Sequence, residues 1–247
     1  MGEQSVMSLS TLTARSRALW ESLAGAPVSF GPALRVVVSP QSRLCPPGWA
    51  GLVVIGDAAI ATAPTSPVAE LLEPALGMLA PRSLTDAGVL GSVFPGAQVL
   101  GPASLAYLDA GEFRPRDGPG VTEAVPPQDP AVRRFLSAAD LDDANESGLD
   151  EITSPAFAIR EHGRIVAAAG YRDWPGRVAH LSVLTAVRAR GRGLGTATAS
   201  AAVAAAIGEG KLPQWRARPD SSRRIARSLG FRELGCQVSL RLLPGRL

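Results

Sequence analysis

Residues Val183 to Gly195 read VLTAVRARGRGLG and run straight into TATASAAVAAAIGEG. A leucine- and valine-containing strand leads into a glycine-rich turn, and the turn opens an alanine-rich helix ending at Gly208 or Gly210. The small side chains of Ala197, Ala201 and Ala204 let that helix lie close on a sheet. Helix N-termini expose unpaired amide donors and a partial positive charge, so a phosphate placed there is stabilised. Glycine removes the Cβ that would keep the backbone away from such a group. Arg190 and Arg192 add guanidinium donors. A dinucleotide fingerprint would need G-x-G-x-x-G and an acidic residue roughly 20 positions on, and neither spacing is met. A P-loop would end in Gly-Lys-Ser/Thr, which is also absent.

The rest of the composition narrows the class. Of 247 residues 46% are apolar and 19% charged, a globular balance rather than a disordered one. Lys211 is the only lysine, so the basic charge is carried by arginine. A net charge of +3 is small for this length and gives nucleic-acid binding little support. The arginines at 216, 218, 223, 224 and 227 lack interleaved aromatic residues, and Asp220 and Glu233 offset them. Cys45 and Cys236 are too few for a disulfide framework and have no metal-ligand spacing, so buried free thiols and no metal are expected. Met1 to Arg17 is polar and lacks a signal-peptide core, and no apolar run reaches the ~20 residues of a membrane span. A cytoplasmic protein that keeps off membranes is the expectation.

Between Arg114 and Pro130 the sequence RPRDGPGVTEAVPPQDP collects five prolines and two glycines. This reads as a linker over 116–128, separating an N-terminal α/β domain over 1–115 from a domain over 129–247. In the first, Ala14 to Ala24 has helical spacing, and Leu34 to Val38 and Leu52 to Ile55 read as buried strands. Gly56-Asp57 turns the latter into Ala58 to Ala63, with helices over Val68 to Leu79 and from Ser83. In the second, Ala131 to Ala139 is helical and Asp140 to Asp150 a polar helix or loop. Ala156 to Arg160, Ile165 to Tyr171 and Val178 to Thr185 form an antiparallel meander, with Pro175-Gly176 in the last turn.

With its strand before and helix after, the turn resembles the R/Q-x-x-G-x-G/A signature of the GNAT acetyltransferase superfamily at Arg190, Gly193 and Gly195. Downstream, a strand over Gln214 to Arg218 and a short helix close on Ser228-Leu229-Gly230-Phe231, similar to the family's common "lGF" ending. A last hairpin, Phe231 to Leu234 and Gln237 to Leu242, completes the order. The resemblance covers about Asp129 to Leu243. It implies an α/β (α+β) GNAT fold, with a mixed, mostly antiparallel sheet flanked by helices, behind a small α/β N-terminal domain.

The resemblance further implies an N-acetyltransferase that uses acetyl-CoA as co-substrate and passes its acetyl group to the amine of a small molecule or peptide. Backbone groups of Val183, Leu184 and Thr185 would pair with the pantetheine arm. Amides of Arg190, Gly191, Arg192, Gly193, Leu194, Gly195 and Thr196 would hold the pyrophosphate. Two positions depart from the family pattern. The tyrosine that protonates the departing thiolate is replaced by Ala226, and the asparagine at the start of the same helix by Pro219, with Asp220 and Ser221 beside it. By that resemblance Ser221 would be the cofactor contact at that end. The departures leave the general acid unassigned and keep a second reading open, a non-catalytic acyl-CoA sensor.

His180 is the candidate general base, because histidine's unperturbed pKa near 6.5 suits taking a proton from an ammonium or a bridging water. A half-exposed histidine beside a hairpin is the alternative. Glu161 and Asp173 are lesser candidates that also suit turn caps. Glu146 to Glu151 could draw in a cationic amine or simply be a solvated helix face. Exposed strand edges near the C-terminus could pair two subunits. A degenerate second copy of the same fold in the N-terminal half rests on strand–helix order alone.

Overall fold

The computed structural model describes residues 2–242. By contact density the chain divides into two units, one reaching Leu105 and resuming at Glu233, the other spanning Ala106–Arg232.

The first unit starts with α1 (Gly2–Leu23), longer than the helix expected from Ala14. It continues through β1 (Val36–Val38), β2 (Ala50–Ile55), β3 (Ala58–Ala63), α2 (Ser66–Gly77), α3 (Ala87–Val93) and most of β4 (Gln98–Tyr107). With β10 (Arg232–Arg241) added from the end of the chain, its strand order is β1-β3-β2-β10-β4. Asp86 caps α3 by accepting from the amides of Gly88 and Val89. Leu52, Val54, Leu72, Leu76, Leu84 and Leu90 meet Val238 and Leu240 of β10 in one buried cluster.

β10 (Arg232–Arg241) is one continuous strand where a hairpin was expected. Gly235 does not turn the chain. It pairs with Ile55 in an antiparallel register, and a Cβ there would lie 1.8 Å from the Val54 carbonyl oxygen. The glycine admits a close neighbour strand, a role that looks the same as a turn in the sequence. Cys45 and Cys236 are part-buried and form no disulfide among the described residues, and burial pushes the Cys45 thiol up to about 11.

The second unit holds β5 (Glu123–Val125), α4 (Pro130–Ser137), α5 (Leu141–Ser147), β6 (Ala156–Glu161), β7 (Arg164–Trp174) and β8 (Val178–Thr185). After these come α6 (Leu194–Gly208), β9 (Leu212–Ala217) and α7 (Asp220–Ser228). The strand order is β9-β8-β7-β6-β5, and β6, β7 and β8 form the expected antiparallel meander. α6 and α7 cover one face of this sheet. Ala199, Ala202, Val203 and Ala206 pack there on Ala179, Leu181, Trp215 and Ala217. α4 covers the other, where Val132 and Phe135 meet Ile152, Ala168 and Leu184.

The segment expected as a free linker is built into this unit. Residues 123–125 pair with β6 as β5. Before them, the Arg116 amide donates to Ser200 Oγ at 2.9 Å. Gly118 lies so close to α6 that a Cβ would come within 2.6 Å of Ala197 Cβ. This strap explains why α6 is apolar all round: the sheet takes one face and the strap another. Proline and glycine signalled the absence of regular structure, and the side-chain contacts that fix such a segment left no local signature.

α7 ends as its sequence predicts. Phe231 N–H donates to Ala226 O and Gly230 N–H to Arg227 O, both at 3.1 Å, with Gly230 at φ 99°. These are the two bonds of a Schellman cap. Phe231 then packs edge-on against Trp215, centroids 5.4 Å apart.

Candidate functional site

β8 and β9 run parallel and are paired only at Val178↔Leu212, Ala179↔Pro213 and His180↔Gln214. Beyond that point β8 continues to Thr185 and β9 to Ala217 without pairing each other. The edge of β8 over Leu181, Ser182, Val183, Leu184 and Thr185 therefore leaves main-chain groups directed at a gap between β8 and β9. Val183, Leu184 and Thr185, singled out in the sequence, lie along it.

The glycine-rich turn follows directly. Gly193 is the N-cap of α6 at φ 80°, a conformation open to glycine, and no side chain caps the helix. The first α6 amide with an acceptor inside the unit is that of Ala197, donating to Gly193 O at 3.0 Å. The amides of Leu194, Gly195 and Thr196 precede it and point out of the helix end. Gly195 lets α6 meet β8, since a Cβ would come within 2.7 Å of Thr185 Oγ1. It also faces Ile225 of α7. Ser221 lies one helical turn before Ile225 and is exposed. The structure thus brings the β8 edge, the turn, the start of α6 and the first half of α7 to one place.

Both arginines of the turn have carboxylate partners. Arg190 contacts Asp143 of α5 at 2.6 Å, and its Nε donates to Thr185 O at 3.3 Å. Arg192 contacts Glu161 at 2.5 Å, which holds the Glu161 carboxyl below its ordinary range. Such half-exposed pairs add little to stability and exchange readily for another anion. Glu161 is thus an ion-pair partner rather than a turn cap, and Asp173 is likewise paired with Lys211, at 2.5 Å.

His180 lies where the two strands part. Its Nδ1 meets Gln214 Oε1, and its ring stacks on Trp174 at 4.0 Å between centroids. An amide oxygen only accepts, so Nδ1 carries the proton and Nε2 keeps the lone pair. Desolvation, and then the positive charge of Arg216, lower the His180 pKa to about 3; Gln214 pulls it back up and Arg172 adds to the fall. The imidazole is neutral near pH 7 but much less basic than a free histidine, which weakens it as a proton acceptor. Ala226, where the family tyrosine would stand, is 2% exposed within the apolar core.

Three further residues of this face, Arg172, Trp174 and Gln214, were not read as site residues in the sequence, and Arg216 was read only as one of a run of arginines. Alternation puts Gln214 and Arg216 on the same side of β9, and the register places Arg172 opposite His180. The Gln214 side chain is fully buried, and its Nε2 has no acceptor among the described residues. The acidic cluster over 146–151 is already engaged, because Glu146 pairs with Arg218 and Glu151 with Arg172. No group of His, Cys, Asp and Glu among the described residues is arranged to hold a metal, and no helix there is long and apolar enough to cross a membrane.

No curated protein matches the chain. Among solved structures, a Novosphingobium aromaticivorans protein assigned to the GNAT acetyltransferase family is 26% identical, with a TM-score of 0.45 over 59% of this chain and 67% of its own. A GCN5-related N-acetyltransferase-like protein of Streptococcus suis is 18% identical, with a TM-score of 0.45 over 62% and 66%. A GCN5-related N-acetyltransferase of Kribbella flavida is 18% identical, with a TM-score of 0.47 over 79% and 90%. The family model for the GNAT acetyltransferases matches residues 154–236, which hold β6 to α7 with the glycine-rich turn between them. Over that segment the chain is similar to a GNAT acetyltransferase domain.

Proposed function

We propose that the second unit binds acetyl-CoA and transfers its acetyl group to an amine. The observation that carries this reading is the parting of β8 from β9 beside the uncapped N-terminus of α6. A pantetheine amide chain needs main-chain partners, and the free edge over 181–185 offers them. A pyrophosphate needs amides and positive charge, and Gly191 to Thr196 with Arg190 and Arg192 offer both. The exposed Ser221 stands at the α7 side of the same groove. Acetyl-CoA supplies a thioester carbonyl; the acceptor nitrogen forms its bond to that carbon as the bond to sulfur breaks. Much of the acceleration then comes from holding the two reactants together. His180, neutral and with Nε2 open, accepts a hydrogen bond from the incoming amine, whose excess proton passes to solvent.

Calorimetric titration of the whole chain with acetyl-CoA, with free coenzyme A alongside, tests the reading. Micromolar binding that releases thiol once an amine is added supports it. Absence of any binding would remove it. Binding without thiol release would favour acyl-CoA sensing, the reading to which the packed Ala226 and the weakened base at His180 point.

A further inference from the structure

We infer that the acceptor is a weakly basic amine, one largely uncharged near pH 7, because the groups around His180 can neither hold an ammonium nor take its proton. This deepens the acetyl-transfer reading and rests on it. An alkylamine with a lysine-like pKa of about 10.4 is neutral in only about one molecule in 2,500 at pH 7. Only the neutral form has the lone pair that attacks a thioester. An alkylammonium therefore needs a carboxylate to receive its charge or a base to remove its proton.

The carboxylates on this side of the sheet are engaged. Glu146 of α5 holds Arg218, and Glu151 holds Arg172, which stands opposite His180 on β7. The chain neighbour of Arg172, Asp173, holds Lys211 at 2.5 Å, and Lys211 also holds Glu209 at 2.7 Å. Asp150, in the same turn as Glu151, is exposed and is not among the groups that act on the His180 ring. An ammonium entering here would give up water without gaining a counter-charge, which is costly.

A base is missing for separate reasons. His180 is fixed from two sides, by Gln214 accepting from Nδ1 and by Trp174 stacked at 4.0 Å. A carboxylate in the place of Gln214 would stabilise an imidazolium, whereas a neutral amide does so only weakly. The charges that act on the ring, those of Arg216 on β9 and Arg172 on β7, are both positive and oppose a second proton. Tyr171 donates its hydroxyl to Glu209 at 2.7 Å, and burial together with that bond keeps it protonated. Ala226 has no proton to exchange. A neutral amine escapes all of these demands. It donates one hydrogen bond to His180 Nε2, which leaves its lone pair to be aimed at the carbonyl carbon. The lone pair becomes the new C–N bond and the C–S pair leaves with sulfur. The proton on nitrogen, acidified by bond formation, passes to water.

Thiol release by the full chain tests this with two classes of acceptor. Aromatic amines and arylhydrazines lose their proton well below pH 7; alkylamines of lysine-like basicity keep it. At pH 7 the best of the first class should exceed the best of the second by on the order of 100-fold in kcat/KM. Between pH 7 and 9 the alkylamine values should rise about tenfold per unit, following the neutral amine, while the aromatic values stay flat. Arg172→Gln frees Glu151 and removes a positive charge beside His180. It should cut the preference on the order of tenfold, mainly through a lower KM for alkylamines. Acetyl-CoA affinity within about twofold of the parent shows that the variant folds. Alkylamines used as well as aromatic amines at pH 7 overturn the inference. So does an alkylamine profile that is flat from pH 7 to 9, or a preference untouched by Arg172→Gln. Acetyl-CoA binding without thiol release to any amine of either class is a different result, because it removes the underlying reading.

Discussion

β2 and β3 pair from Gly51↔Thr62 to Ile55↔Ala58, and every residue of both strands is buried. β8 and β9 pair at three positions and then separate, and along the gap β8 carries buried Leu181, Ser182 and Leu184 with half-buried Val183 and Thr185. The first ladder satisfies its main chain internally, so its residues need only fill a core. The second leaves donors and acceptors over between two neighbouring strands, where an internal partner would have been available. Unpaired main chain is expensive when sealed from water. The lasting gap in the second unit therefore reads as a place kept for something that enters it.

Four measurements break or sharpen this contrast. The largest effect belongs to the closed ladder. Gly235→Val would press a side chain into the Val54 carbonyl, and thermal or denaturant unfolding should show a loss above ~3 kcal/mol. A variant as stable as the parent would mean that β10 does not lie against β2 as described.

In the open pair the matching substitution should act on binding more than on folding. Gly195→Val would place atoms against Thr185 Oγ1, a side chain at the groove that has some freedom to move. We expect acetyl-CoA affinity to fall about 100-fold, roughly 2.7 kcal/mol, with a smaller stability loss than Gly235→Val. Unchanged affinity would detach the turn from cofactor binding.

His180 gives a pH signature. Its folded pKa of about 3 lies below the ordinary 6.5, so between those values the unfolded chain binds more protons. Stability should therefore decline as pH falls from about 6.5 towards 3, and His180→Gln should flatten that part of the curve in denaturant titrations. The same shift removes His180 as the source of any inflection near pH 6.5 in kcat/KM. An inflection there that disappears in His180→Gln would show the histidine to be a stronger base than its surroundings allow.

The smallest effect is at the surface. Arg192→Gln breaks the pair with Glu161 and should leave thermal stability almost unchanged. Its effect should be seen instead as a severalfold weaker acetyl-CoA affinity with a shallower dependence on salt.

Much of the second unit was legible because its signals are local. The strand, glycine turn and helix of 183–208 follow from residue types in succession. The Schellman cap at Gly230 follows from a glycine placed after an amphipathic turn. The antiparallel meander followed from apolar runs separated by Pro175-Gly176. Less could be read where a residue's role depends on a distant neighbour. Gly235 suggests a turn until Val54 is found beside it. Residues 116–128 suggest a tether until Ser200 and Ala197 are found beneath Arg116 and Gly118.

The sequence by itself determined the strands and helices from β6 to α7, where α7 stops, and that the start of α6 offers bare amides. These follow from backbone sterics, hydrophobic period and capping chemistry, which act over a few residues. Tertiary structure alone decided that β8 and β9 separate after His180 and Gln214. It also decided that His180 loses most of its basicity, and that Glu146 and Glu151 are already occupied by arginines. Those outcomes depend on desolvation and on charges brought together from positions as far apart as 146 and 218, and neither quantity exists until the chain has folded.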